Sequence, residues 1–296
     1  MPAAHPETAF APGGFMRPLG FFTLGLVAFA SAPHAAVSER ADVTSFEPGH
    51  SEIVLAARLN GRGPFRFLLD TGSTHTAVSA RTAEAIGAPV VAKAAMGSAG
   101  GSRETLVVQV NSLQVGPVTV SALLASVIDL GDVSGGGTID GVIGQDALGS
   151  LRYTIDFRQR VVVWSPRETM EASGSSLPLQ VSGGRFMIAV PQRHVLLRLV
   201  PDSGAASLLL FAPHAALPVT PGPSLSTLTT ISGRTDVRMA TVRELRVGSL
   251  TLRDVPAVVA ERDRSEPVEV DGLLPLHLFD RVTIDGPGKR LILQKT

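Results

Sequence analysis

Two aspartates stand out by their company. Asp70 is followed by Thr71 and Gly72, and Asp202 by Ser203 and Gly204; each triplet closes an apolar run, residues 65–69 and residues 195–200. Two carboxylates held close cannot both ionise cheaply, so they share one proton and titrate as a coupled pair. One then serves as base and the other as acid, which is the equipment for activating a water molecule without a covalent intermediate. Gly72 and Gly204 let the loop backbone approach closely, and their N–H groups can stabilise the carboxylates. A single Asp-Thr/Ser-Gly triplet carries little weight, because Asp and Gly favour turns. Asp140-Gly141, Asp271-Gly272 and Asp285-Gly286 are read as hairpin or loop residues on that ground.

Asp70 and Asp202 differ from those because they occupy one register of an internal repeat. They are 132 positions apart, and Leu113-Gln114-Val115-Gly116 pairs with Leu245-Arg246-Val247-Gly248 at the same offset. Ile139-Asp140-Gly141-Val142-Ile143-Gly144 pairs with Val270-Asp271-Gly272-Leu273-Leu274-Pro275 at 131, and Tyr153-Thr154-Ile155-Asp156-Phe157 with Val282-Thr283-Ile284-Asp285-Gly286 at 129. A fixed order of landmarks over nearly the whole chain means a duplicated unit. The small, polar stretch 171–176 places a boundary there, giving an N-terminal half over residues 37–170, a linker over residues 171–180 and a C-terminal half over residues 181–296.

The elements that must position the two aspartates are strands. Val54, Ala56 and Arg58 alternate with Leu55, Ala57 and Leu59, and residues 106–110, 118–120 and 242–247 are short and β-branched or apolar. Residues 153–157 with 161–164, and 282–286 with 291–293, read as two hairpins. Helices are few and short: residues 80–86 with Ser79 as N-cap and Gly87 at the C-terminal end, and short helices after Gly144 and Leu274. Pro275 lacks an N–H, so its strand is expected to end by Leu274.

Leu69-Asp70-Thr71-Gly72-Ser73-Thr74 followed by Val142-Ile143-Gly144 resembles a retropepsin-like lobe of the aspartic peptidases, of bacterial type. Asp202-Ser203-Gly204-Ala205 with Gly272-Leu273-Leu274 resembles the second lobe of a pepsin-like, two-lobed enzyme, and the resemblance covers about residues 50–296. It implies an all-β fold of two homologous acid-protease barrel lobes related by pseudo-twofold symmetry, with an extended peptide or protein substrate across the cleft between them. It implies hydrolysis of peptide bonds by water activated between Asp70 and Asp202. It further implies that Thr71 and Ser203 hydrogen-bond across the lobe interface, that Gly144 permits a tight crossing under the catalytic loop, and that Gly97, Ser98, Ala99, Gly100 and Gly101 form a mobile flap. Ser73 can hydrogen-bond Asp70 whereas Ala205, its counterpart, cannot bond Asp202, so Asp70 is expected to be the readier to ionise and activity to extend above strongly acidic pH.

Composition narrows the rest. Hydrophobic residues make up 44% and charged residues 18% of 296, which suits a buried β-rich core. Lys+Arg and Asp+Glu are both 26, with no basic run interleaved with aromatics, so no nucleic-acid partner is expected. Cysteine is absent, which removes disulfides, thiolate metal sites and a cysteine nucleophile. The seven histidines show no ligand spacing, so neither a metal nor another cofactor is expected; Trp164 is read as core. Ser134-Gly135-Gly136-Gly137 is a loop without the lysine of a nucleotide site. Residues 1–36 read as a secretory signal peptide, with Arg17 before an apolar stretch at residues 19–30 and small residues at Ala28, Ala30 and Ala32; Met16 is an alternative start. That stretch is shorter than the roughly 20 residues a membrane span needs, so the expectation is an exported, periplasmic or secreted monomer with no stable membrane span. Two rival readings are a catalytically silent, peptide-binding or envelope-associated protein of the same fold, and a β-rich carbohydrate- or envelope-binding module whose aspartates merely form turns.

Overall fold

The computed structural model describes residues 35–36, 42–47, 52–98, 101–130, 137–164, 174–212, 219–230, 233–261 and 269–296. The N-terminal half contributes β1 (Ala35–Ala36), β2 (Asp42–Ser45), β3 (Val54–Leu59), β4 (Arg62–Leu69), β5 (Ala77–Val78), α1 (Ala80–Ala85), β6 (Val90–Ser98), β7 (Gly101–Val115), β8 (Val118–Val127), β9 (Gly141–Ile143), α2 (Gln145–Leu148), β10 (Arg152–Asp156) and β11 (Val161–Trp164). The C-terminal half follows with β12 (Ser175–Pro178), β13 (Gln180–Ser182), β14 (Arg185–Pro191), β15 (Leu196–Asp202), β16 (Leu208–Ala212), β17 (Val219–Thr230), β18 (Gly233–Val247), β19 (Leu250–Glu261), β20 (Gly272–Pro275), a 3-10 turn (Leu276–Leu278), β21 (Arg281–Asp285) and β22 (Arg290–Gln294).

Three sheets result. The first runs β1-β8-β5-β9-β4-β3-β7-β6, and because β7 also pairs with β8, six of its strands close into a barrel. The third runs β13-β14-β15-β20-β16-β19-β18-β17 and repeats that topology without the closing pair. In each, the strand that leads to an aspartate lies parallel to the short strand that follows the Asp-Gly pair: Leu69 is opposite Ile143, and Asp202 opposite Pro275. A parallel pair needs a long connection, and the intervening hairpins and β5 or β16 supply it. Period-two alternation decides which side chains enter the core; β3, with Leu55, Ala57 and Leu59 inward and Ala56 and Arg58 outward, shows it cleanly.

The second sheet is shared between the halves, in the order β12-β22-β21-β10-β11-β2. Its centre is the antiparallel pair β10–β21, where Thr154 is opposite Thr283 and their hydroxyls are 2.7 Å apart. On either side of them Arg152 pairs with Asp285 at 2.7 Å and Arg281 with Asp156 at 3.1 Å. The offset of 129 turns one ion pair into the other, so a pseudo-twofold axis passes between the two threonines. A continuous core, including Leu69, Ile143, Tyr153 and Trp164 on one side and Leu199, Leu274, Ile284 and Leu291 on the other, joins the barrel and the third sheet to this shared sheet. Trp164 is fully buried, packs on Tyr153 and donates its indole N–H to Thr44.

Several local expectations can be compared with the backbone. Ser79 caps α1, accepting the Thr82 N–H at 3.1 Å. The turn after Leu274 is 3-10 rather than α, and β20 runs one residue further than expected, to Pro275. Pro is tolerated there because it is the last residue of the strand. Ser175–Pro178, inside the segment assigned to the linker on composition, pairs along β22 as strand β12. Ala35 and Ala36, at the end of the expected signal segment, pair with Val120 and Thr119 of β8, while residues 1–34 lie outside the described residues. Among the described residues, no helix is long and apolar enough to cross a membrane.

Candidate active site

The strands β4 and β15 end at the interface of the two halves and deliver Asp70 and Asp202 to the same point. Their carboxyls are hydrogen-bonded to each other. The loop behind each is tied to the other half by reciprocal bonds. Thr71 donates its N–H to Ser203 Oγ at 3.0 Å and its hydroxyl to the Pro201 carbonyl at 2.8 Å. Ser203 donates its N–H to Thr71 Oγ1 at 3.0 Å and its hydroxyl to the Leu69 carbonyl at 2.7 Å. Both side chains are buried, so each hydroxyl satisfies a donor and an acceptor that water cannot reach.

A side chain at the next position would crowd the opposite carboxyl, more at Gly72 than at Gly204. A Cβ on Gly72 would lie 2.5 Å from the Asp202 carboxyl carbon, and one on Gly204 would lie 3.0 Å from that of Asp70. The same residues supply donors: the Gly72 N–H reaches Asp70 Oδ1 at 2.9 Å and the Gly204 N–H reaches Asp202 Oδ1 at 2.7 Å. Asp70 also accepts the Ser73 N–H at 3.2 Å. The Ser73 hydroxyl does not bond Asp70, contrary to expectation; it donates to the His75 carbonyl at 3.1 Å, because the turn leaves that acceptor nearer.

Burial raises the pKa of both carboxyls, since the charged form loses its water. For Asp202 the neighbouring charge of Asp70 pushes the same way, and the value stands well above the usual carboxylate range. For Asp70 the bond from Asp202 and the Gly72 and Ser73 N–H groups oppose the rise. Both shifts favour a protonated carboxyl, so the pair shares a proton, and the rise is the larger on Asp202. The asymmetry has the direction anticipated from Ser73 and Ala205, but its first cause is the bond and charge between the two carboxyls, to which the backbone N–H groups add.

Several supporting residues escaped the sequence reading. The amide of Gln145, at the start of α2, donates to the Thr71 carbonyl at 2.9 Å. Asp146 accepts the Thr76 N–H at 2.9 Å and the Thr76 hydroxyl at 2.8 Å, while its own N–H donates to the Thr74 carbonyl. Residues 71–76 are thereby clamped onto α2. Gly144 is where this crossing is tightest, as a Cβ there would stand 2.5 Å from the His75 backbone. Asp140 and Asp271, read as loop residues, are indeed in irregular segments, yet each also grips a catalytic-side strand: Asp140 Oδ2 accepts the Arg66 N–H and Asp271 Oδ2 the Arg198 N–H, both at 2.9 Å. Asp285 ends β21, accepts the Gly288 N–H in the turn and carries the ion pair with Arg152.

The expected flap falls at the β6–β7 hairpin. Gly97 and Ser98 end β6, Gly101 opens β7 opposite Ser98, and Ala99 and Gly100 lie outside the described residues. Gly137 is described, whereas Ser134, Gly135 and Gly136 are not. Among the described residues no group of three or more His, Cys, Asp or Glu could hold a metal ion.

No curated protein matches the chain. The family model for aspartyl protease matches it twice, over residues 55–147 and 188–277. The first match runs from β3 into α2 and the second from β14 into the 3-10 turn, so each covers one barrel sheet and stops short of the shared sheet. Two matches, related by the repeat and each containing one Asp-Thr/Ser-Gly loop, span more than half of the residues, and the chain belongs to the aspartyl protease family.

Proposed function

We propose that the protein is an aspartic endopeptidase that binds a peptide or protein substrate in extended conformation and hydrolyses it with Asp70 and Asp202. The observation that carries this reading is the contact of the two carboxyls at the lobe interface, where burial favours their sharing one proton. Asp70 takes a proton from a water molecule as that water attacks the amide carbonyl carbon. Asp202 gives its proton to the carbonyl oxygen; as the tetrahedral diol collapses, the C–N bond breaks, Asp70 passes its proton to the leaving nitrogen and a diol hydroxyl returns one to Asp202. No covalent enzyme intermediate forms. Both carboxylates come from one chain, which supports action as a monomer. On the same reading the β6–β7 hairpin, with Gly97, Ser98 and Gly101 at its end, serves as the flap over the substrate.

Export to the periplasm or medium belongs to the same reading, and its support is the pattern at Arg17, residues 19–30 and the small residues that follow. The test is cleavage of a mixed peptide library from about pH 3 to 8 by the wild-type protein beside Asp70→Ala and Asp202→Ala. Cleavage abolished by both substitutions is the expected result. A folded wild-type protein that cleaves nothing would sink the reading and move the silent, peptide-binding alternative ahead of it.

A further inference from the structure

Glu52, just before β3, and Arg185, in β14, occupy equivalent places in the repeat, 133 positions apart, with opposite charges. Each of these positions reaches toward the loop of the other half. Glu52 acts on His277, which is hydrogen-bonded to the Ala205 backbone three residues past Asp202. The β13–β14 turn, Gly183-Gly184, brings Gly184 onto Thr74, where a Cβ would make an ordinary contact of 3.5 Å with Thr74 Cγ2. Arg185 follows at once, is part-buried rather than solvated, and its positive charge is felt by both Asp70 and Asp202. A guanidinium presents five donors in a planar fork, so a partner within the protein leaves donors for a second one.

We propose that Arg185 is a specificity-determining residue that receives an acidic side chain of the bound peptide at the Thr74 end of the cleft. This inference rests on the peptidase reading above. An extended peptide sends alternate side chains to one face, so the acidic residue belongs at one position of a two-residue period rather than anywhere along the substrate. A carboxylate accepting from a guanidinium makes a charge-assisted, often bidentate bond, which corresponds to about a tenfold or greater preference over the amide isostere. Arg185 also lies close enough to the dyad to alter its ionisation, and that effect is separable, because it changes the rate for every peptide by one factor.

The experiment uses a set of matched peptides bearing Asp, Asn or Lys at each of several positions around the cleaved bond. Values of kcat/KM are measured for wild type, Arg185→Gln, Arg185→Lys and Arg185→Glu. Wild type is expected to prefer Asp over Asn by about tenfold at one position, Arg185→Gln to lose that preference, and Arg185→Glu to turn it toward Lys. Arg185→Lys keeps the charge but loses the fork; it reads the same ratio, with a partial loss, should the other variants not fold. An unchanged Asp/Asn ratio in Arg185→Gln, or no acid preference in wild type, overturns the inference while cleavage itself sustains the peptidase reading. Fluorescence anisotropy of the same peptides on Asp202→Asn protein, with and without Arg185→Gln, reads the preference without turnover. If wild type cleaves nothing, the peptidase reading falls, and the anisotropy still decides Arg185: acid-selective binding that the Arg185→Gln change removes supports it, and binding without selectivity, or none, overturns it.

Discussion

The N-terminal half is the better-tied copy of the repeat and the C-terminal half the looser one. In the first, β3 pairs with β7 through the backbone, Leu59 opposite Leu113, and the barrel closes. In the second, the corresponding strands β14 and β18 have no such ladder; just past β14, the Gln192 amide donates to the Arg246 carbonyl at 2.8 Å and its oxygen accepts the Arg246 N–H at 3.2 Å. Leu69 donates its N–H to the Ile53 carbonyl immediately before Asp70. Its counterpart Pro201 has no N–H to give. Asp70 receives two backbone N–H groups and Asp202 one. A duplicated fold can therefore offer a proton-sharing pair two unequal seats, with backbone donors adding to an inequality that the contact of the two carboxyls sets first.

The largest effect tests whether both seats are needed. Asp70→Asn and Asp202→Asn are each expected to lower kcat/KM by on the order of 10³-fold or more. A variant retaining over about a tenth of the activity would break the pairing of the halves as one catalytic unit. Next come the ion pairs of the shared sheet. Arg152→Ala and Arg281→Ala each leave a mostly buried carboxylate unpaired and should cost about 3 kcal/mol in denaturant unfolding. Near-equal losses sharpen the symmetry of the interface, and losses differing by more than about 2 kcal/mol deny it.

The glycines should not be equal. Gly72→Ala intrudes further on Asp202 than Gly204→Ala does on Asp70, so roughly 10²-fold and 10-fold losses in kcat/KM are expected, in that order. A reversed order would show that the two loops yield differently from what their contacts indicate. Stability offers a subtler comparison. Burial and the Asp70 charge raise the Asp202 pKa, so the folded protein holds that proton more tightly than the unfolded chain does. The group's contribution is complete below the ordinary carboxylate range and is lost as pH rises through the raised value. Asp202→Asn removes the titrating group that folding holds protonated, so its Tm gain should appear at neutral pH and fade in acid, with a smaller gain for Asp70→Asn. A pH-independent gain would contradict the raised Asp202 pKa. Smallest is Gln192→Ala, expected to cost about 1 kcal/mol and to lower protection of the Arg246 amide from hydrogen exchange.

Much of the architecture was legible because the repeat keeps its landmarks at nearly constant spacing and its strands alternate. The paired aspartates, their glycines and the capped helix at Ser79 are local signals of this kind. Ser175-Ser176-Leu177-Pro178 was not legible as strand: its composition is that of a linker, and only β22, more than a hundred residues on, makes it a ladder. The clamp of Gln145 and Asp146 on residues 71–76 is equally non-local, spanning some 70 residues without a pattern of its own. Asp140 and Asp271 had the right local chemistry for loops, but their hold on Arg66 and Arg198 depends on a parallel strand pairing invisible in sequence. The Ser73 hydroxyl was misassigned because two acceptors lay within its reach and spacing cannot rank them.

The strand at the middle of the shared sheet reads Arg152-Tyr153-Thr154-Ile155-Asp156, and its partner Arg281-Val282-Thr283-Ile284-Asp285. An antiparallel strand with Arg at one end, Asp at the other and Thr between is its own complement: each would bind a second copy of itself with the same charges and the same central hydroxyl contact. The seam between the halves thus has the grammar of a homodimer, written twice into one polypeptide. Covalent linkage is what allowed the two copies to drift apart at Pro201, Pro275 and His277 without losing each other.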